Sequence, residues 1–81
     1  PLTEERRKDL VKKARAEAEH CKVTLRTARK DANEEIKQMV KKGMPEDLGK
    51  GAEEKIQKLT DQYVKEVEKL LEAKEADLLS I

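Results

Sequence analysis

The chain has 81 residues, of which 46% are charged and 1% aromatic, and its formal net charge is +1. So short a chain forms at most one small core, made here of Leu, Ile, Val, Ala and Met with one Tyr and one Cys. A net charge this close to zero excludes a polycation, so nucleic-acid binding must come from how the charges are arranged. The composition is typical of long helices and coiled coils, and regular apolar spacing argues against disorder, the competing interpretation.

The one cysteine, Cys21, excludes an intramolecular disulfide and provides no metal-ligand cluster, so we expect no metal and no other cofactor. No apolar run is long enough to span a bilayer, and no signal peptide is visible. A reducing cytoplasm without a membrane partner is the simplest location for such a chain. The chain begins with Pro1 and not with Met, which favours a fragment or a processed product.

The first predicted element is a helix over about residues 3–42. Thr3 suits the N-cap, and two glutamates follow it at the positive end of the helix. Lys41, Lys42 and then Gly43 predict the end of the helix, because Gly adopts a positive φ without strain. Apolar or small residues recur in steps of three and four, which indicates one packed helix face. They are Leu10, Ala14, Ala18, Cys21, Leu25, Ala28, Ala32, Ile36 and Met39.

A short turn over about residues 43–46 leads to a second predicted helix over about 46–79. Pro45 suits its first helical position, where the missing N–H needs no partner. Gly49 and Gly51 weaken the opening turns by about 1 kcal/mol each relative to Ala. The apolar stripe contains Ala52, Ile56, Leu59, Tyr63, Val67 and Leu70, then Ala73 or Lys74, and is widened on one flank by Val64, Leu71 and Leu78.

Two helices joined by so short a connection pack as antiparallel neighbours. The predicted fold class is therefore all-α, a single domain over residues 1–81 that forms a long antiparallel helical hairpin. Both helices carry more apolar width than one contact seam covers, so we expect a third surface to pack against them. A second copy of the chain would supply it in a four-helix bundle. The side chains expected to hold this homodimer are Leu10, Leu25, Ile36, Ile56, Leu59 and Leu70.

Basic residues gather on one side of the first helix, next to its apolar stripe. At about 100° per residue, that side contains Lys8, Arg15, Lys22, Arg26, Arg29 and Lys37, with Asn33 among them. Such a strip on a rigid rod suits a phosphate backbone, because Arg offers a flat fork of donors. No aromatic residues alternate with the cations, so structured RNA read by shape fits better than a single strand. The alternative interpretation is a solvated face with ion pairs along the helix.

No group of residues in the sequence supports catalysis, and we do not expect the protein to be an enzyme. His20 and Cys21 are neighbours, but we expect Cys21 to be a buried, unreactive thiol on the apolar stripe and His20 to lie outside. Asp31, Glu34 and Glu35 form an acidic cluster, which with no His or Cys nearby more often decorates a surface than binds a metal.

Four segments, in order along the chain, resemble one protein family. Residues 1–10, Pro-Leu-Thr-Glu-Glu-Arg-Arg-Lys-Asp-Leu, are similar to the point where ribosome recycling factors re-enter their helical domain. Residues 23–33 end in Arg-Thr-Ala-Arg-Lys-Asp-Ala-Asn and resemble the family pattern Arg-x-x-Arg-Arg-Asp-Ala-Asn, with Lys30 where the family usually has a second Arg. Gln-Lys-Leu-Thr-Asp at 57–61 and Lys-Glu-Ala-Asp at 74–77 are also similar. The resemblance covers only the last part of the family sequence, without its first helix and its inserted β domain.

The resemblance implies a translation factor that is not an enzyme and that recycles ribosomes, helping elongation factor G to split the ribosome after termination. It also implies that the first helix lies against RNA of the large ribosomal subunit, with Arg7, Arg26 and Arg29 matching the family's functional arginines. Lys30 would offer a point charge in place of a fork. The candidate RNA-binding residues are therefore Arg7, Lys22, Arg26, Arg29, Lys30 and Asn33, and no catalytic or metal-binding residue is expected.

In the family, the N-terminal helix would complete a three-helix bundle with this hairpin. In this chain we expect oligomerisation to complete the bundle. A structural coiled-coil hairpin that acts through self-association is the alternative function. The basic strip separates the two functions, because a pure assembly module does not need Arg26, Arg29 and Asn33 aligned on one side.

Overall fold

The computed structural model describes residues 3–80, so the opening Pro-Leu of the first matching segment and the final Ile lie outside the described residues. Two α-helices, α1 at Glu4–Lys41 and α2 at Glu46–Leu79, account for nearly all of this range, which contains no strand. They pack side by side as an antiparallel hairpin, which confirms the predicted all-α fold. The principal extents are 62 × 15 × 10 Å and the radius of gyration is 18.4 Å. A globular domain of this length would have a radius of gyration of about 12 Å, so the molecule is a rod.

Both ends of α1 satisfy their backbone groups as the sequence predicts. Thr3 is the N-cap, and its Oγ1 accepts a hydrogen bond of 3.1 Å from the N–H three residues on. At the other end Gly43 has a φ of +119°. The N–H groups of Gly43 and Met44 donate back to carbonyls of the last turn at 3.1 and 3.0 Å. This pair of bonds is the Schellman arrangement, which ends a helix at a left-handed Gly.

Pro45 lies one position outside the place expected for it. It is the N-cap of α2 and not its first helical residue, because its ψ of 138° lies outside the helical range. The carbonyl of Pro45 accepts hydrogen bonds from the N–H groups of Leu48 and Gly49 at 3.1 and 3.2 Å. Glu46 and Asp47 place carboxylates in the first turn, beside the positive end of the helix.

A single thin seam holds the two helices together. Val11 and Ile36, each 7% exposed, are the buried hydrophobic residues of the described chain. Half-buried apolar side chains extend the seam in both directions. They are Leu10, Ala14, Ala18, Leu25, Ala32 and Val40 from α1, and Ala52, Ile56, Val64, Val67, Leu71 and Leu78 from α2. The rod therefore has a narrow line of apolar contact where a larger domain would enclose a core.

The seam is rotated relative to the stripe predicted on α2. Val64 and Leu71, which were expected to form a flank, are half-buried in the seam. Tyr63 and Leu70, which were expected at its centre, are 54% and 69% exposed, and Leu59 is exposed as well. The apolar arc of α2 is wider than one line of contact, and periodicity alone does not reveal which edge of the arc faces the partner helix.

Cys21 is exposed, so the prediction that its thiol is buried is wrong. It lies with Ala28 and Met39, which are also exposed, on the edge of the α1 stripe that faces away from the seam. The same rotation of the seam explains this error. His20 is exposed, as expected.

Gly49 allows the two helices to approach closely beside the turn. A Cβ added at Gly49 would lie 2.8 Å from Cγ2 of Val40 and 3.5 Å from Cγ2 of Ile36. At Gly51 an added Cβ would have no such atom within 4 Å. The sequence marks both glycines only as helix-weakening residues, and the packing requirement at Gly49 becomes visible only when α1 lies against it.

We expect Gly49→Ala to lower the free energy of unfolding by up to about 2 kcal/mol, although Ala favours the helix by about 1 kcal/mol. The added methyl group meets Val40, whose branched side chain has one strongly preferred rotamer in a helix. Gly51→Ala is the matched control and should raise stability by about 1 kcal/mol. Urea unfolding followed by circular dichroism, at one fixed protein concentration, measures both. Equal stabilisation by the two substitutions would contradict the close approach at Gly49.

Candidate nucleic-acid interface

The two sides of the seam differ in chemistry. The cationic surface is the α1 side that contains Lys8, Arg15, Lys22, Arg26, Arg29, Lys30, Asn33 and Lys37. The apolar groove is the opposite side, lined by Ala14, Ala18, Cys21, Leu25, Tyr63, Val67 and Leu70. On α1, Lys22 and Cys21 are adjacent in sequence but lie at opposite edges of the seam, since successive helical residues are about 100° apart. The hairpin therefore presents one face rich in cations and one face with an apolar groove, whose lining also includes Glu17, Glu66 and Lys74.

Two cations of the cationic surface are paired directly with carboxylates of α2. Nε of Arg15 donates to Oε1 of Glu75 at 2.5 Å, and Nζ of Lys22 lies 3.3 Å from Oε1 of Glu68. The hydrogen bond from Arg15 to Glu75, and the negative charge of Glu75, raise the pKa of Arg15. The Lys22 side chain is only 17% exposed, so a phosphate would reach it only by displacing Glu68.

Arg26 and Lys30 present their charge to solvent. The Arg26 side chain is 51% exposed, and its ion pair with Glu19 is a loose one at 3.9 Å. Lys30 is exposed, and within residues 3–80 it forms no ion pair. These two cations therefore have the most open access to an incoming anion among the candidate residues.

Arg29 is held by a neutral partner. Arg29 is half-buried, and its Nη1 donates to Oε1 of Gln57 at 3.2 Å. Nε2 of Gln57 in turn donates to Oδ1 of Asp61 at 3.0 Å. Since no carboxylate among the described residues is paired with Arg29, its charge stays uncompensated by α2.

Arg7 and Asn33 each hold a buried polar atom without a partner. Nε of Arg7 and Oδ1 of Asn33 are shielded from solvent and make no hydrogen bond within the described residues. A buried polar atom in this state costs about 1–3 kcal/mol.

Five of the six candidate residues lie close together. Lys22, Arg26, Arg29, Lys30 and Asn33 fall within about 17 Å along α1, since each residue adds about 1.5 Å. Arg7 lies about 22 Å from Lys22 toward the open end of the hairpin. The structure thus forms one compact cluster of candidates, with Arg7 as an outlier.

The part that α2 plays in this surface was not predicted from the sequence. On α1 itself, Glu19 is the acid that pairs with a cation of this surface, Arg26. The partners on α2 are Gln57, Asp61, Glu68 and Glu75. Their spacing of four and seven residues is itself a helical pattern along one edge of α2. That pattern was readable in the sequence, but the pairing of each residue with a particular cation was not.

Other kinds of site find no support in the described residues. Across residues 3–80, no three His, Cys, Asp or Glu side chains are grouped so that they could hold a metal ion. Neither described helix has the length and apolar content needed to cross a membrane.

Comparison with known proteins gives one consistent result. The sequence model of the ribosome recycling factor family matches residues 1–79. A ribosome-recycling factor of Flavobacterium johnsoniae is 52% identical over 81 residues, covering 100% of this chain and 43% of that protein. One from Neisseria meningitidis serogroup C is 54% identical over 81 residues (99% of this chain, 44% of the relative). One from Nitrosomonas europaea is 51% identical over 82 residues (100% of this chain, 44% of the relative).

The chain thus spans less than half the length of the curated relatives that it matches. The family match includes both helices and all six candidate residues. It confirms the resemblance found in the four sequence segments, and it agrees with the expectation that the chain is not an enzyme, since recycling factors are translation factors. The chain belongs to the ribosome recycling factor family.

Proposed function

We propose that this hairpin acts in ribosome recycling by binding RNA of the large ribosomal subunit through its cationic surface. Family membership supports the ribosome as the target. The observation that carries the RNA contact is the state of Arg26, Arg29 and Lys30, none of which is neutralised by the carboxylates of α2. The absence of aromatic residues from this strip favours contact with phosphates and helix shape over stacking on bases.

The rod shape suits a mechanical role. An unbroken helix of 38 residues holds the charges at fixed spacing, so little conformational freedom is lost when they meet a rigid array of phosphates. The guanidinium groups of Arg26 and Arg29 can each form two parallel bonds to phosphate oxygens, whereas Lys30 contributes a point charge. Phosphates would compete with Glu68 and Glu75 for the cations that these carboxylates hold.

We further propose that the whole protein works with elongation factor G to split the post-termination ribosome, in the cytoplasm. Elongation factor G, a GTPase, would supply the free energy. The hairpin would supply the binding surface and the stiff body on which force acts. The residues of the hairpin would then make and break no covalent bond.

The RNA contact predicts a particular response to salt. We expect Arg26→Ala/Arg29→Ala to weaken binding to large ribosomal subunits at low salt. The dependence of log affinity on log salt should also flatten by about 0.7–0.9 for each phosphate that the variant no longer binds. Co-sedimentation of the 81-residue chain with purified subunits, across a salt series, measures both quantities.

The matched control is Lys58→Ala/Lys65→Ala, which removes the same number of positive charges from exposed positions on the outer face of α2. We expect this control to keep the salt dependence of the original chain. If both double variants lose affinity equally, net charge and not the cationic surface governs binding. If neither loses affinity, this face does not bind RNA.

A second role, as a structural coiled-coil hairpin that self-associates, is favoured by the apolar groove. Tyr63 and Leu70 are more than half exposed beside Cys21 and Leu25. Contiguous apolar surface of this kind marks an interaction site. We propose that a second copy of the chain covers the groove in a two-fold four-helix bundle.

The structure changes which side chains would form that interface. Ile36 is already buried between α1 and α2, so it is not available to a partner. Leu59 and Leu70, which are exposed, remain available among the side chains expected to hold the dimer. Cys21 joins them, because it lines the groove.

Self-association should make the reactivity of Cys21 depend on protein concentration. We expect alkylation of Cys21 to be fast in dilute protein and to slow as dimers form, over the concentration range in which sedimentation equilibrium detects the dimer. Leu70→Gln should weaken the dimer. Val23→Gln, at an exposed apolar position outside the groove, should not. A monomer at all concentrations, with a constant alkylation rate, would rule out this role.

A further inference from the structure

We propose that Gln57 is a positioning residue that holds Arg29 in place for phosphate binding, an inference that rests on the proposed RNA contact. Gln57 lies on α2, across the seam from the cationic surface. Its Oε1 accepts the 3.2 Å hydrogen bond from Nη1 of Arg29, and its Nε2 donates the 3.0 Å bond to Oδ1 of Asp61. Three side chains thus form one hydrogen-bonded chain that leads from α2 to α1.

The direction of this chain is set by the chemistry of the amide. A Gln side chain has an acceptor at one end and donors at the other, and an ionised Asp61 only accepts. The opposite orientation of Gln57 would bring its NH₂ group to a guanidinium and its oxygen to a carboxylate. Asp61, one helical turn farther along the same face of α2, therefore keeps the amide oxygen directed at Arg29.

The neutral partner distinguishes Arg29 from the other cross-helix cations. Along this edge of α2, Glu75 faces Arg15 and Glu68 faces Lys22, whereas an amide faces Arg29. A carboxylate cancels the positive charge and competes with a phosphate for the same donors, because bonds between ions are the stronger ones. An amide oxygen occupies one donor of the guanidinium and leaves its charge and its other N–H groups for a ligand.

Holding Arg29 in this way reduces the conformational freedom that the side chain loses when it binds. A long, flexible side chain that is already oriented gains more from each new contact. The bond between Gln57 and Arg29 is exposed, and exposed polar contacts contribute little to folding. Since the contact contributes little to folding, the role that we assign to it is to orient Arg29 before binding.

The experiment compares Gln57→Glu, Gln57→Ala and Arg29→Ala in binding of the 81-residue chain to large ribosomal subunits across a salt series. Gln57→Glu keeps the shape of the side chain but makes an ion pair with Arg29. We expect affinity to fall roughly three- to ten-fold at low salt and the salt slope to flatten by about 0.7–0.9, equivalent to one phosphate. Gln57→Ala should weaken binding by a smaller factor and leave the slope unchanged, because Arg29 keeps its charge but loses its orientation.

Two controls separate positioning from other effects. Gln62→Glu makes the same change of charge at an exposed site away from the cationic surface, and it should leave the slope unchanged. In the Arg29→Ala background, Gln57→Ala should have no further effect on binding. Circular dichroism of each variant, at matched concentration, shows that the hairpin is intact.

The outcomes distinguish this inference from the function on which it rests. If Arg29→Ala weakens binding while both Gln57 variants bind like the original chain, RNA binding stands and the positioning role is overturned. If Gln57→Ala weakens binding equally with and without Arg29, its effect does not pass through Arg29 and the inference is also overturned. If Arg29→Ala has no effect, the RNA-binding role of Arg29 fails, and the positioning role fails with it.

Discussion

Two helices can touch along only one line, and in this molecule each helix carries apolar residues over a wider arc than that line covers. Within residues 3–80 the buried hydrophobic side chains are Val11 and Ile36, so the seam encloses no core. The close approach that Gly49 permits beside the turn is therefore important, because it brings the backbones together where little side-chain volume is available. The apolar residues left outside the seam gather in the groove on one side, and this gives the hairpin its two unlike faces.

The charged face depends on both helices, although its cations come from α1. The edge of α2 supplies carboxylates opposite Arg15 and Lys22 and an amide opposite Arg29. Within the described residues, positive charge is therefore paired with carboxylates of α2 at Arg15 and Lys22 and left unpaired at Arg29. A nearly neutral chain can in this way present a local basic patch, so an overall charge of +1 is compatible with the proposed RNA contact.

Local signals in the sequence predicted much of this fold. Thr3 and Gly43 mark the ends of α1 through capping interactions that involve only neighbouring residues. Features that depend on both helices could not be obtained from one helix at a time. The choice of Leu71 over Leu70 for the seam is one such feature, and the steric need for Gly49 is another. The candidate site followed the same rule, since its cations were visible in α1, whereas the pairing of each cation with a residue of α2 was not.

The hairpin topology also orders the cross-helix contacts by the length of chain that each one closes. Gly49 meets Val40 directly across the turn, the bond to Gln57 spans 28 residues, and the bond from Arg15 spans 60. Closing a longer loop costs more conformational entropy. We therefore expect the contacts between the helices to form first beside the turn and to break first at the open end. Amide hydrogen exchange would record this order as protection that declines from the turn toward Arg15.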